Sequence, residues 1–523
     1  MNAQTTLAIP TVRPAAPPVP MSDATRASLR VLGAAAGLGV LGDLLLRPTP
    51  WGINLTLWTL ALIAATVALR RRAELDAAGR AWIPLALLMT ALMTWRDSPT
   101  LKALDLAALC VVLGLAMHRA GGGRVRDGGV LRYARALGMA VVDAATGGPA
   151  IVSNMKWNEV GGGRGARYAL PVARGAALAV PVLGIFTALL VSADARFARL
   201  VEGTLRLDGG ELMGHALMTG VVTWVAAGIL RALAGDELPA RERTRTGPTL
   251  SLGMVETGMV LGLVNFLFLA FVIVQLPYLF GAAPRGGALG YAEYARRGFF
   301  ELVWVAGLVL PLLLAFHHLL RRDHARNERV FRWLAGAQVA LLFVIIASAM
   351  HRMRLYQNAY GLTELRLYTT AFMVWLALVF AWFCATVLRG RRERFAFGAL
   401  VVAADVLVLL HGVNPDALIV RTNAARAHAE APFDARYAAG LSADAVAPLV
   451  RALAAAPLEE RCAAAARLER RWGGAGDWRS WSVARSSARR AVRAHLPALR
   501  GGCPAVAART GGVRTGYVRY THP

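Results

Sequence analysis

Four polar segments lie between long apolar runs of this sequence, and they carry side chains that can bind anions, form ion pairs or transfer protons. They are SADARF, with Asp194 and Arg196; GYAEYARRGFFELV, with Tyr291, Glu293, Tyr294, Arg297 and Glu301; RMRLYQNAYGLTELRLY, with Arg354, Tyr356, Tyr360, Glu364 and Arg366; and NPDALIVRTN, with Asn414 and Asp416. Arginine can hold an anion or a carboxylate, and an acidic side chain can serve as a general base. Tyrosine and arginine are also common at membrane interfaces, so the same segments are compatible with a purely structural role.

The spacing within two of these segments predicts helices. Glu293, Arg297 and Glu301 are four residues apart, so on a helix they would share one face. Gly361, followed by Thr363, predicts a break in the chain and then a helix that leads into the next apolar run.

One ionisable residue, Asp405, lies near the middle of an apolar run at 395–413. A charge at that depth of a membrane is costly, so we expect Asp405 to face the interior of a helix bundle with a partner, or to be protonated. An ion or proton path is one interpretation, and a buried structural hydrogen bond is the other. The sequence has no phosphate-binding loop, zinc-protease or kinase signature and no cysteine–histidine pattern, so it predicts no cofactor and no metal.

The apolar runs themselves predict an all-α, polytopic integral membrane protein. Of the 523 residues, 56% are hydrophobic, which is unusual for a soluble protein of this length. Eleven runs are candidate transmembrane helices: 31–46, 51–69, 82–95, 103–118, 170–192, 211–233, 253–280, 299–320, 331–350, 367–388 and 395–413. The stretch 131–145 carries Arg132, Arg135 and Asp143, which favours an amphipathic helix at the membrane interface.

The basic residues predict the orientation of these helices. The net charge of +26 is spread as short clusters between apolar runs, which is typical of membrane-flanking loops and not of a nucleic-acid-binding domain. The N-terminal tail and every second connection together hold 28 Lys/Arg, against 12 in the other connections. This asymmetry predicts a cytoplasmic N-terminus and, with eleven spans, an external C-terminus. Lys102 and Lys156 are the only lysines, a bias that fits a GC-rich bacterial genome better than any binding role. The location that we predict is the bacterial inner membrane.

Composition divides the chain into three regions: a disordered tail at 1–28, a transmembrane domain at 29–414, and a small soluble helical region at 415–523. In the last region, Ser442 is a plausible helix N-cap and Pro457 follows the same helix. Cys462 and Cys503 also lie there. They could pair if the region is external, whereas they should be free thiols if it is cytoplasmic.

Several of these motifs occur together in a known family. SADARF, YAEYARRGFFELV, RLYQNAYGLTELRLY and NPDALIVRTNAAR, followed by DARYAAGLSADAVAPLV and DWRSWSVARSSARRA, resemble a bacterial multi-span family catalogued as domain of unknown function four-one-seven-three. The resemblance covers roughly residues 170–495. It implies a polytopic bacterial membrane protein, but it brings no established activity and no functional residues.

The eleven-span arrangement predicts that all four polar segments lie on the outer face. Without a catalytic signature, this grouping favours a non-enzymatic cell-envelope protein, either a sensor or an interaction protein, with the lipid bilayer and an envelope protein as its partners. Two alternatives stay open: a transporter that uses Asp405 and outer Arg/Glu groups, and a membrane-embedded transferase with Asp194 or Glu293 as its base.

Overall fold

The computed structural model of the chain describes residues 21–47, 50–70, 80–123, 125, 128–159, 209–234, 253–279, 299–320, 324–427 and 433–503. Helices make up the regular structure of these ranges. The α helices are α1 (Asp23–Leu46), α2 (Ile53–Leu69), α3 (Trp82–Trp95), α4 (Pro99–Ala120), α5 (Val130–Asn154), α6 (Gly209–Ala234), α7 (Met254–Leu279), α8 (Phe299–Leu319), α9 (Ala325–Tyr360), α10 (Glu364–Thr386), α11 (Phe395–Val413), α12 (Pro415–Ala427), α13 (Ala435–Ala438), α14 (Val446–Leu453), α15 (Leu458–Trp472) and α16 (Val483–Arg500).

Within the described ranges, nine helices are long and apolar enough to cross a membrane. Eight of them coincide with predicted spans, and the ninth is α5. The spans predicted at 51–69 and 82–95 form helices of only 17 and 14 residues, about 25 and 21 Å long, which is less than the roughly 30 Å of a hydrocarbon core. The span predicted at 170–192 lies outside the described residues. The chain is therefore an all-α, multi-pass membrane protein, and the number eleven stays a prediction.

Three apolar cores organise the described helices. The first lies between α1, α2, α3, α4, α5 and α6 and contains Leu62, whereas the second lies between α7, α8, α9 and α10 and contains Leu342. Helix α11 joins these two cores, because its Phe395 packs in the second and its Leu407 in the first. The third core, around Leu449, belongs to the C-terminal helices.

The C-terminal helices sit on one end of the membrane bundle. Arg479 Nη1 donates to Leu44 O at 2.8 Å, close to the end of α1, and Ile53 N at the start of α2 donates to Trp481 O at 2.9 Å. Asp97 N, between α3 and α4, donates to Asp444 at 2.6 Å. We call this end the domain face and define it by the connections 47–52, 96–98 and 361–363 and by residue 414.

Helix α5 begins and ends on the opposite face. Near its start, Tyr133 donates a hydrogen bond to Val125 O, just beyond the end of α4. Just beyond its end, Glu159 accepts from the side chains of Ser22 and Thr25, at 2.5 and 2.7 Å, where α1 begins. Because α1 to α4 run alternately up and down, α4 ends on the face where α1 begins. These contacts place both ends of α5 on that face. Its length and composition would permit a crossing, so the interfacial position stays a prediction.

The structure shows where the helices at the two ends of the chain begin and end. Ser442 caps a 3-10 turn that continues into α14, and Pro457 precedes α15. Cys462 in α15 and Cys503 after α16 form a disulfide, with 5.7 Å between their Cα atoms. At the other end of the chain α1 begins at Asp23, with Ser22 as its N-cap, so residues 23–28 belong to a helix and not to the tail.

Candidate functional site

A group of buried charges lies where the C-terminal helices meet the domain face. We call it the junction cluster: Arg96, Asp97, Lys102, Asp444 and Arg485. Asp97 Oδ1 is 2.6 Å from Lys102 Nζ and 2.7 Å from Arg485 Nη2. The Asp97 and Arg485 side chains are each 5% exposed, and that of Lys102 is 12% exposed. The Asp97 carboxylate, in the connection between α3 and α4, thus binds one cation from α4 and one from the C-terminal region.

The two cations that bind Asp97 also donate hydrogen bonds to the connection between α1 and α2. Lys102 Nζ donates to Trp51 O at 2.7 Å. Arg485 Nη1 donates to Pro50 O at 3.1 Å and to Ser480 O at 2.7 Å. Burying a cation is tolerated only when its donors are satisfied in this way. The geometry therefore favours a structural role for the junction cluster over a ligand-binding role.

Asp444 forms the second half of the junction cluster. Its Oδ1 is 3.2 Å from Arg96 Nη1, and its Oδ2 accepts from Asp97 N at 2.6 Å. Burial raises the pKa of Asp444, although the Asp97 amide and the Arg96 guanidinium both lower it. Arg96 Nε donates to His411 O at 2.9 Å, so Arg96 links the C-terminal region to the end of α11 as well.

A buried histidine–aspartate pair lies beneath the junction cluster, inside the bundle. His411 Nε2 is 3.2 Å from Asp105 Oδ2, and neither side chain is exposed. His411 Nδ1 is 2.9 Å from Leu407 O, so Nδ1 must carry a hydrogen. The contact with Asp105 therefore requires a second proton, held by the carboxyl group or by the ring. Within the described part of the chain, Asp105 Oδ1 has no hydrogen-bond partner.

The segment RMRLYQNAYGLTELRLY folds back on itself at the domain face. The Arg366 guanidinium carbon lies 4.1 Å from the centre of the Tyr356 ring and 5.9 Å from that of Tyr360. Arg366 Nη1 also donates to Tyr360 O at 3.1 Å and to Gly361 O at 2.6 Å. The structure therefore brings three of the predicted residues together, and the arginine closes the turn between α9 and α10.

Gly361 breaks the chain where the sequence predicted it, between the end of α9 and the start of α10. Thr363 then caps α10 by accepting from Arg366 N at 3.4 Å. Asn423 of α12 binds the same turn twice: its Oδ1 accepts from Leu362 N at 2.8 Å and its Nδ2 donates to Leu362 O at 2.9 Å. Two of the four polar segments thus pack against each other.

The start of the fourth segment turns the chain from α11 into α12. Asn414 has a left-handed backbone with φ of 56°, and its Oδ1 accepts from Ala417 N at 3.3 Å. Asp416 is fully buried, and its Oδ2 accepts from Ser442 N at 3.2 Å. Burial raises the pKa of Asp416 to about 6, although the hydrogen bonding from Ser442 lowers it. Asp416 therefore joins the turn to the C-terminal region.

The remaining predicted site residues are not brought together in the described structure. Arg354 is exposed on α9, and Glu364 begins α10, where its backbone N donates to Tyr437 Oη at 3.0 Å. Asp194, Arg196, Tyr291, Glu293, Tyr294 and Arg297 lie outside the described residues, as does the side chain of Glu301.

The expectation that Asp405 faces the bundle interior stays a prediction, and the described residues give it no support. Its side chain is exposed on the surface of α11. Leu407 and His411 face the first core and Asp105, and a helix turns 100° per residue, so Asp405 points about 200° away from Leu407. Among the described residues, the acids buried within the membrane helices include Asp105 of α4 and Asp43 of α1.

Sequence reasoning missed the junction cluster and the His411–Asp105 pair. One signal was present in the sequence, because the connection between two apolar runs carries three charged residues, Arg96, Asp97 and Lys102. Nothing in the sequence pattern linked them to Asp444 or Arg485. Within the described ranges, no group of three or more His, Cys, Asp and Glu side chains could hold a metal ion.

One comparison places the chain among known proteins. A family model described as "Domain of unknown function (DUF4153)" matches residues 83–452, which is more than half of the 523 residues. The resemblance noted in the sequence was thus right about the type of family and wrong about its number. No curated protein and no solved structure matches the chain significantly. Four of the five junction-cluster residues and the His411–Asp105 pair lie inside the matched range. Because the family model covers more than half of the chain, the chain belongs to the DUF4153 family.

Proposed function

We propose that this protein is an interaction protein of the cell envelope, which holds its C-terminal helices in a fixed position outside the cytoplasm for another envelope component to bind. The junction cluster carries this proposal. A flexible linker would be enough for a domain that needs only to stay attached. These helices are instead bound to the connection 96–98 by buried ion pairs and to the connection 47–52 by a hydrogen bond. Buried ion pairs of this kind favour one defined geometry over alternatives.

Two observations support the external location. The Cys462–Cys503 disulfide is the kind of bond that persists in an oxidising compartment and is rare in the cytoplasm. The 28 to 12 distribution of Lys/Arg between alternate connections favours the same orientation, because basic residues accumulate in cytoplasmic loops. The bacterial inner membrane is the location we propose on this basis.

The location can be tested by labelling thiols in intact cells. Trp478 is 63% exposed on the C-terminal region, and Arg391 is exposed on the opposite face. A membrane-impermeant maleimide should label the Trp478→Cys variant in intact cells, and it should label Arg391→Cys only after permeabilisation. The reverse result would place the C-terminal helices in the cytoplasm and overturn the proposal.

The interaction itself can be tested by photo-crosslinking in living cells. A photoreactive residue at Arg436 or Arg467, both exposed on the C-terminal helices, should form a reproducible adduct. The same residue at Trp304, which is 72% exposed on a membrane helix, is the control. The adduct should be lost in the Asp97→Asn/Arg485→Gln double variant at equal abundance. Failure to form an adduct at either C-terminal position would remove the interaction role.

A proton-coupled transporter is the second candidate, and the His411–Asp105 pair is the observation that favours it. Ionisable groups buried within a membrane bundle often belong to proton paths. The test is proton flux into proteoliposomes measured with an enclosed pH-sensitive dye. A flux that Asp105→Asn abolishes would support this candidate, and equal flux from the variant would exclude a role for the pair. The transferase alternative depends on Asp194 or Glu293 and stays a prediction.

A further inference from the structure

A groove of about 600 Å³ runs along the first half of α9, on the face opposite the domain face. It is lined by Arg329, Arg332, Trp333, Gly336, Ala337 and Ala340. The two arginines lie at one end of the groove and the three small residues at the other, with Trp333 between them. The groove is therefore charged at one end and apolar along the rest.

The connection between α10 and α11 shows where the groove lies along the bundle axis. A Cβ atom built on Gly336 would be 3.8 Å from Leu388 Cδ1, and one built on Gly390 would be 3.9 Å from Arg332 Nη2. The connection between α10 and α11 is thus level with Arg332. The 36 residues of α9 span about 54 Å, well beyond the roughly 30 Å of the hydrocarbon core. The arginines accordingly lie at headgroup depth, and Ala337 and Ala340 lie deeper.

The charged end has more positive groups than its neighbours neutralise. Among the described residues, Arg329 makes no ion pair, and Arg332 pairs with Glu328 at 3.1 Å while its buried Nε has no hydrogen-bond partner. The adjacent connection adds Arg389, Arg391, Arg392 and Arg394 against one acid, Glu393. Guanidinium groups bind phosphate oxygens in a planar, two-point geometry.

The apolar end of the groove favours a lipid over a soluble anion as the ligand. Trp333 is 78% exposed, and Gly336, Ala337 and Ala340 leave a shallow channel that continues from it. A soluble phosphate would use the arginines and leave this half of the groove empty. Tryptophan at a membrane interface, next to basic groups that meet a headgroup, matches a molecule with an anionic head and an acyl chain.

We propose that this groove binds an anionic phospholipid, with its phosphate at Arg329 and Arg332 and an acyl chain along Gly336, Ala337 and Ala340. The inference does not depend on the function proposed above, because the groove lies on the other face of the bundle. A lipid held there packs against the first half of α9 and the α10–α11 connection.

Trp333 provides a direct readout in the reconstituted full chain. Vesicles of phosphatidylcholine with a minor fraction of phosphatidylglycerol carry bromine on the acyl chains of one lipid or the other, at equal mole fraction. The chain has 13 tryptophans, so the Trp333 signal is the difference between wild type and Trp333→Phe. Brominated phosphatidylglycerol should quench that signal more strongly than brominated phosphatidylcholine. Equal quenching by the two lipids would overturn the proposal.

Binding in detergent supplies the second measurement. Arg329→Gln/Arg332→Gln should weaken binding of phosphatidylglycerol about 30-fold, which corresponds to about 1 kcal/mol for each arginine near an anionic headgroup. The control is Arg451→Gln/Arg490→Gln, which makes the same charge change at exposed positions of the C-terminal helices. Arg329→Gln alone leaves the Arg332–Glu328 pair intact, and it should weaken binding of phosphatidylglycerol by less than the double variant does. Binding equal to the control, or competition by millimolar inorganic phosphate, would refute a lipid site.

Discussion

Replacing Gly361 with alanine should loosen the contact between the α9–α10 turn and α12. Gly361 has φ of 75° and ψ of −176°, a backbone conformation that is essentially restricted to glycine. A Cβ atom at this position would lie 2.6 Å from Asn423 Oδ1 and 2.7 Å from Arg426 Nη1. The substitution therefore strains the backbone and also pushes Asn423 away from Leu362.

The structure sets the size of the effect. The backbone conformation costs a non-glycine residue on the order of 1–3 kcal/mol. Asn423 makes two hydrogen bonds to Leu362, at 2.8 and 2.9 Å, and each contributes about 1 kcal/mol. If one or both of these hydrogen bonds break, we expect Gly361→Ala to lower the free energy of local opening by about 2–5 kcal/mol. A 2 kcal/mol loss already corresponds to a roughly 30-fold change in the opening equilibrium.

Hydrogen exchange of the full chain in detergent measures this opening directly, because local protection reports the free energy of the segment that opens. The amides of α12 should exchange at least about 30-fold faster in Gly361→Ala than in wild type. The control is Gly307→Ala in α8, where an added Cβ would meet nothing within 4 Å. If α12 exchanged alike in the two variants, the proposed strain at Gly361 would be refuted.

Three further predictions concern the junction, the pH dependence and α5. Asp97→Asn alone and Arg485→Gln alone should each lower the free energy of opening of α14 by about 3–5 kcal/mol, because each leaves a buried partner unpaired. The loss in the double variant, measured by hydrogen exchange, should be smaller than the sum of the two single losses. Strict additivity would count against the ion pair. The folded chain binds a proton at Asp416 more tightly than the unfolded chain, since its pKa rises from 3.8 to about 6. Stability should thus fall as pH rises through this range, by up to about 3 kcal/mol, and pH-dependent unfolding of Asp416→Asn should lack that fall. Gly228→Ala should displace α5, because the added Cβ atom would clash with Ala144 O. The control is Gly138→Ala, where an added Cβ atom would meet nothing within 4 Å. Equal melting temperatures of the two variants would contradict this packing.

Local patterns predicted the elements of the fold well. The segment LEERCAAAARLERRW is α15 from its first residue to its last, because proline before it and glycine after it mark both ends. The break at Gly361 was equally readable, since glycine followed by Thr363 and Glu364 is a typical end of one helix and start of another. Both cases depend on residues that are close in sequence.

The junction cluster could not be predicted, because its partners are far apart in the chain. Asp97 and Asp444 are separated by 347 positions, and His411 and Asp105 by 306. Hydropathy identifies a charge near a span but not the helix face that carries it. Asp405 was therefore expected inside the bundle, whereas the face of α11 that is actually buried carries His411.

The ion pairs of the two faces bear on the orientation that we propose from the number of basic residues. On the domain face, Arg96 is bonded to Asp444 and Lys102 to Asp97, while Arg366 is held by the carbonyl groups of its own turn. On the opposite face, Arg329 and Arg391 make no ion pair with any described residue. The positive-inside rule reflects charges that meet lipid headgroups and resist translocation. Among the described residues, ion pairs neutralise two cations of the smaller group, Arg96 and Lys102, and three of the larger group, Arg26, Lys156 and Arg332. These pairs leave the excess of basic residues on the side opposite the domain face, so the 28 to 12 distribution still favours the proposed external position of the C-terminal helices.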